Sequence, residues 1–174
     1  MKLKSMWMLA ALAAGSIYAQ QSASEAAALK QAYAGIKNNV MKAAEKMPED
    51  QYEFKASPDI RTFGALIGHI ADVQGRICAA AAGSTPPPSA GSKTAKADLV
   101  AALEASFKVC DGVFEGLTDA DAGKTMSLGR GGPRNEFATL WTLIIGHSNE
   151  EYGYLAVYMR IKGVVPPSSE GRGR

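Results

Sequence analysis

The chain has 174 residues, 47% of them hydrophobic and 21% charged, which is the size and composition of one folded domain and excludes a chain disordered throughout. Its 18 glycines and 8 prolines follow no repeat, which excludes collagen-like sequence, and two cysteines are too few for a disulfide-built scaffold or a Cys₄ zinc site. The formal charge of +2 is carried by Lys2 and Lys4, so the chain beyond residue 19 is neutral and lacks the clustered basic surface of a nucleic-acid binder.

Residues 1–19 have the three parts of a secretory signal peptide. Met1-Lys-Leu-Lys4 is the positive start, Met6 to Ala14 is the apolar run, and Ala19 is a small residue before Gln20. The run is shorter than the roughly 20 residues needed to span a bilayer, and no cysteine follows it to carry a lipid. The expectation is cleavage after Ala19 and a periplasmic or secreted protein, with no stable membrane insertion once the signal is removed.

Helical periodicity dominates the remainder, and no stretch alternates as a strand would. The spacing predicts a first helix from about Ser24 to Lys46, with Ser22 and Glu25 as a capping box. Leu29, Tyr33, Ile36, Val40 and Met47 form its apolar stripe, and Pro48 stops it. Ser57-Pro58 predicts the start of a second helix, which runs to about Ala82 with Phe63, Leu66, Ile70, Val73 and Ile77 in register. Gly83 to Ser92, with three consecutive prolines, is a stiff connection. A third helix from about Thr94 to Gly116 carries Leu99, Leu103, Phe107, Cys110, Phe114 and then Leu117. Gly129 to Arg134 predicts an irregular surface loop. Asn135 caps a fourth helix whose stripe is Phe137, Trp141, Ile144, Ser148, Leu155 and Tyr158, ended by Gly163 and Pro166-Pro167. The expected fold is an all-α four-helix bundle over residues 20–167, followed by a flexible tail, residues 168–174.

Chemistry concentrates on the chain's two histidines. His69 lies three residues after Leu66 and four before Val73, on the apolar side of the second helix. His147 lies three after Ile144, on the apolar side of the fourth, and Glu151 stands one turn further along the same face. Two imidazoles and one carboxylate converging from two helices form a recognisable divalent-metal set with coordination positions left open. The competing reading is a hydrogen-bonded core histidine and a partly buried His-Glu ion pair. Asp72, Glu150 and Tyr152 are neighbouring candidates for orienting ligands. No Gly-x-Ser-x-Gly, phosphate-binding glycine loop or His-Glu-x-x-His is present, so those catalytic templates are excluded.

Cys78 and Cys110 would sit at opposite ends of antiparallel helices but at similar heights on parallel ones. The connection from Gly83 to Lys93 stretches to about 35 Å at roughly 3.3 Å per residue, enough to run back along a helix. A disulfide, permitted in an exported protein, and two buried free thiols both remain open. Neither forms a Cys-x-x-Cys redox motif.

Arg61-Thr-Phe-Gly-Ala-Leu-Ile-Gly-His-Ile-Ala-Asp72, then His147-Ser-Asn-Glu-Glu-Tyr-Gly-Tyr-Leu-Ala-Val-Tyr-Met-Arg160 and Gly163-Val-Val-Pro-Pro167, resemble the DinB/YfiT-like superfamily over about residues 24–168. The resemblance implies an up-down-down-up bundle with parallel second and third helices. It also implies a three-histidine metal site, which falls on His69, His147 and position 151, where this chain has Glu151. The implied set is His-His-Glu around a divalent ion, Zn, Ni, Fe or Mn. Characterised relatives include thiol-dependent transferases and isomerases as well as amidohydrolase-like members. Two functions follow as expectations: an exported metal-dependent enzyme of transferase or hydrolase type acting on a small molecule, or a non-catalytic ligand-binding or structural bundle whose metal site has degenerated. No nucleic-acid partner is expected, and a homodimer is left open.

Overall fold

The computed structural model describes residues 24–129 and 131–171; the signal-peptide reading of residues 1–19 and the cap assigned to Ser22 lie outside them. Helix α1, Glu25–Lys46, starts at Ser24, whose hydroxyl accepts from the Ala27 amide at 3.1 Å. Asp119 accepts from the neighbouring Ala26 amide at 2.8 Å, so two of the first-turn donors that a helix leaves unpaired are satisfied by oxygen acceptors. The stripe read from the sequence is the buried one: Leu29, Tyr33, Ile36, Val40 and Met47 all lie in the core.

Helix α2, Phe63–Ala82, begins later than Ser57-Pro58 predicts. Thr62 is its cap, accepting from the Ala65 amide, and the Phe63 and Gly64 amides donate to the carbonyls of Phe54 and Tyr52. Partners from the preceding loop thus fix the first turn, and Ser57-Pro58 lies in a turn. Helix α3, Lys96–Gly116, has no side-chain cap on Ala95, but Lys96 reaches back to the carbonyls of Glu45 and Met47 and satisfies the end of α1. Leu99, Leu103, Phe107, Cys110, Phe114 and Leu117 are all buried. Full burial of a side chain such as Leu103 contributes about 1.5–3 kcal/mol.

The fourth helix, α4, is built of three consecutive segments: α-helical Glu136–Thr139, π-helical Leu140–Gly146 and α-helical His147–Ile161. Asn135 is its cap, accepting from the Ala138 amide at 2.9 Å. The π segment corrects the predicted stripe. Its i→i+5 pattern widens the turn, so Leu140 is buried while Trp141, expected inside, is about half exposed.

Pairings along the helices set the topology. Gly64 faces Leu99, Gly75 faces Ser106 and Cys78 joins Cys110, so α2 and α3 run parallel. Tyr33 stacks on Phe114 and Lys96 meets the end of α1, so α1 and α3 are antiparallel. Tyr158 donates to the Arg61 carbonyl while His147 meets His69, so α2 and α4 are antiparallel. The order is up-down-down-up. The Cys78–Cys110 disulfide is formed, closing one of the two alternatives left open above.

Parallel α2 and α3 require the connection to return along the bundle. Ser89 and the Ala90 amide both donate to the Asp72 carboxylate. The segment lies on α2 at glycines: a Cβ on Gly68 would stand 3.3 Å from the Ala90 carbonyl oxygen, and one on Gly75 3.1 Å from Pro87 Cδ. Larger residues at either position would push the connection off the helix.

Two features depart from the expected outline. A two-residue antiparallel ribbon, Thr125–Met126 with Arg134–Asn135, closes the glycine-rich loop, in which Gly129, Gly131 and Gly132 have positive φ. Ser168 to Glu170, expected to belong to a flexible tail, are tied back to the bundle. The Ser168 amide donates to the Tyr152 hydroxyl, Arg160 bonds Ser169, and Lys46 pairs with Glu170. No helix among the described residues is long and apolar enough to cross a membrane.

Candidate metal centre

The antiparallel contact of α2 and α4 brings His69, His147 and Glu151 together. His69 is supplied from the second turn of α2. His147 is the first residue after the π segment, and the α-helical turn that follows stacks Glu151 over it. The two Nε2 atoms lie 3.1 Å apart, and each stands 3.6 Å from Glu151 Oε1. The rings meet edge to face with centroids 5.0 Å apart. The side chains are 30%, 20% and 8% exposed in the order His69, His147, Glu151, so the carboxylate is the floor and the imidazoles the rim. Both histidines are more open than a pure core role would make them.

These separations distinguish the two readings of the sequence. Metal–ligand bonds of about 2.0–2.2 Å place neighbouring donor atoms about 3–3.5 Å apart around one ion, close to the spacing here. A hydrogen-bonded core cluster fits less well. The two imidazoles are within hydrogen-bond reach of each other at 3.1 Å, but at 3.6 Å neither is hydrogen-bonded to Glu151. Glu151 Oε2 and His147 Nδ1 are buried with no hydrogen-bond partner among the described residues. Buried polar atoms are normally paired, and a cation facing the carboxylate would offset the orphaned oxygen. The residues fit a divalent ion held by two imidazole nitrogens and one carboxylate oxygen. Burial, reinforced by the positive charge of Arg61, holds the His69 imidazole below its usual range against the opposing pull of Glu151. The ring is therefore held toward the neutral form that presents a lone pair.

Arg61 is the residue that sequence reasoning passed over as more than part of a motif. It precedes the cap of α2, and its carbonyl accepts from Tyr158 at 2.9 Å, which fastens the loop to α4. Its side chain borders two hollows on either side of the triad. One, about 360 Å³, is lined by Arg61, Gly68, His69, Asp72 and Lys93. The other, about 700 Å³, is lined by Ile60, Arg61, Leu66, Glu151 and Tyr154. No periodic signal marks such a residue, since it sits ahead of the helix rather than on its stripe.

The three neighbours expected to orient ligands are used elsewhere. Asp72 holds the connection through Ser89 and Ala90. Tyr152 is buried with its hydroxyl on Ser168, and Glu150 is exposed, accepting from Tyr154 at 3.4 Å. A buried pair does stand behind the site: Gln74 Nε2 donates to Ser148 Oγ, linking α2 to α4 one residue from His147.

Comparison with known proteins agrees with this architecture. The family model described as DinB superfamily matches residues 32–155. The crystal structure of a DinB-like protein from Bacillus cereus superposes with a TM-score of 0.65 at 20% identity, covering 80% of this chain and 93% of that one. At that identity the likeness speaks for the fold. No curated protein sequence matches the chain.

Proposed function

The chain belongs to the DinB superfamily, and from that premise we propose that it is an exported metal-dependent enzyme whose divalent ion is held by His69, His147 and Glu151. The observation that carries this reading is the convergence of three donor atoms, 3.1–3.6 Å apart, beside a buried carboxylate oxygen with no hydrogen-bond partner among the described residues. Zn, Ni, Fe or Mn all accept such a donor set. When bound, the ion supplies Lewis acidity toward a small-molecule substrate or a bound water or thiol, the chemistry of a transferase or hydrolase.

The chain's own residues do the rest. His69 and His147 bring their Nε2 atoms to 3.1 Å from each other, and Glu151 supplies a carboxylate oxygen 3.6 Å from both. The Gln74–Ser148 hydrogen bond sets the register between the helices that carry the histidines. Export belongs to the same reading, supported by the signal-peptide pattern of residues 1–19 and by the Cys78–Cys110 bridge, which suits an oxidising compartment.

A second reading, a ligand-binding bundle without catalysis, is favoured by one observation. Among the described residues His147 Nδ1 has no hydrogen-bond acceptor of the kind that usually orients a ligating imidazole. Metal analysis of protein purified without an affinity tag separates the readings at the first step. One equivalent of a divalent metal, lost in His147→Ala, is the expected result, and metal-free protein that takes up none on titration would defeat the proposal. Hydrolysis and thiol-transfer assays on the loaded protein then distinguish enzyme from binding protein.

A further inference from the structure

We propose that the cleft lined by Arg61, Leu66 and Glu151 binds a monocarboxylate with an apolar body, its carboxylate gripped by the Arg61 guanidinium and its body lying against Leu66, Ile60 and Tyr154. The proposal builds on the reading of the triad as a metal site and names the class of molecule that would reach it.

Four observations carry it. The cleft, at about 700 Å³, is the size of pockets that hold small organic ligands. Its walls are apolar where a soluble protein normally hides such groups: Ile60 is 44% and Tyr154 49% exposed, with Leu66 buried between them and the floor. Arg61 is unspent. It forms no ion pair within 4 Å among the described residues, although Asp59 lines the same cleft, and its side chain donates no hydrogen bond there. Its backbone, by contrast, is fixed, with the carbonyl held by Tyr158 and the following amides of Phe63 and Gly64 held by Phe54 and Tyr52. Arg61 is exposed, so an unpaired guanidinium on a fastened backbone beside the cleft is open to an anion from solvent.

Charge and geometry narrow the class. Arg61 is the cation among the residues lining the cleft, and Asp59 and Glu151 line it too, so the charge there suits a monoanion. One planar fork matches one planar carboxylate in two parallel hydrogen bonds. A phosphate dianion would call for a second cation in the same cleft, and the nearby Lys93 lines the other hollow. Arg61 borders both that hollow and the cleft, so a carboxylate it grips would lie toward the polar hollow with the apolar body directed along Ile60 and Tyr154.

The test is calorimetric titration of zinc-loaded protein with 4-phenylbutyrate, its amide, the phosphonate of the same body, and acetate. The acid should bind at least tenfold more tightly than the amide, the phosphonate or acetate. Arg61→Gln should abolish the preference over the amide, and Arg61→Lys should restore part of it. Tyr154→Ala should weaken the acid and leave acetate unchanged. Equal affinity of wild type and Arg61→Gln for the acid, or equal affinity of wild type for acid and amide, would overturn the proposal. So would tighter binding of the phosphonate. The same titrations on metal-stripped protein keep the two readings apart. Failure of wild type to take up zinc defeats the metal reading alone, while an Arg61-dependent preference for the acid in stripped protein still supports the anchor.

Discussion

His69 Nε2 and His147 Nε2 face each other at 3.1 Å across the contact of α2 and α4, each 3.6 Å from the same oxygen of Glu151. Burial and the positive charge of Arg61 hold the His69 ring toward its neutral form, with a lone pair available to an electrophile. This geometry depends on the antiparallel helices and on the π segment that ends just before His147, and both rest on the packing of the bundle beneath.

That packing gives the first prediction. Leu103 is fully buried on α3, in the core shared by the bundle's helices. Leu103→Ala should lower the unfolding free energy by about 2–5 kcal/mol, the loss of buried surface plus a cavity. Chemical denaturation measures it, and a loss below about 0.5 kcal/mol would show that the stripe is not load-sharing core.

The bridge between α2 and α3 gives the second. Cys78 and Cys110 are 32 residues apart, and cross-linking a loop of that length restricts the unfolded chain. The double change Cys78→Ala, Cys110→Ala should cost roughly 2–4 kcal/mol. Reduction of wild type should reproduce most of that loss. Two alkylatable thiols in unfolded, unreduced protein from an oxidising compartment would contradict the bridge.

Much of this was readable from residue spacing, for a physical reason. The stripes of α1 and α3 are straight α-helix, where a period of 3.6 maps directly onto burial, and every predicted stripe residue on them is in the core. The start of α2 was not readable, because the amides of Phe63 and Gly64 are satisfied by Phe54 and Tyr52 from outside the helix, a long-range choice that overrides the local Ser57-Pro58 signal. Trp141 was misplaced because an i→i+5 turn leaves no mark in apolar periodicity. The candidate triad was visible since His147 and Glu151 are one helical turn apart, and the helix pairing implied by family resemblance brings His69 to them. The place of Arg61 was not, because the cleft it lines exists only in the folded chain.

The third prediction concerns pH. Asp119 accepts from the Ala26 amide and the Ser24 hydroxyl at the start of α1, and these bonds hold its carboxyl below its ordinary value of 3.8. A carboxylate with a depressed folded-state pKa stabilises the fold above its unfolded value, and that contribution is lost as the pH falls through the folded value. Wild type should therefore melt above Asp119→Asn near pH 7, and the gap should close as the pH drops below about 3.8. Thermal midpoints at several pH values test this. A gap that stays constant down to pH 2.5 would assign the effect of the substitution to something other than the charged cap.

The last prediction separates a metal ligand from a bystander at position 151. Glu151 supplies a carboxylate oxygen 3.6 Å from both imidazoles, and its second oxygen is buried without a hydrogen-bond partner among the described residues. Glu151→Ala removes a ligand and also the orphaned charge, so the two readings predict opposite signs in metal-free protein. If the carboxylate is there for an ion, stripped Glu151→Ala should be at least as stable as stripped wild type, because a buried charge lacking hydrogen bonds is costly. The order should reverse when zinc is added, since wild type gains about 2.7 kcal/mol at a metal concentration 100 times Kd while the variant gains much less. Glu151→His should bind zinc or nickel at least as tightly as wild type, nitrogen being the preferred donor of those metals. Thermal melts of the three proteins, stripped and loaded, give every comparison. A Glu151→Ala protein that is less stable than wild type when stripped, with the same zinc response, would make Glu151 a structural partner of the two histidines and remove it from the site.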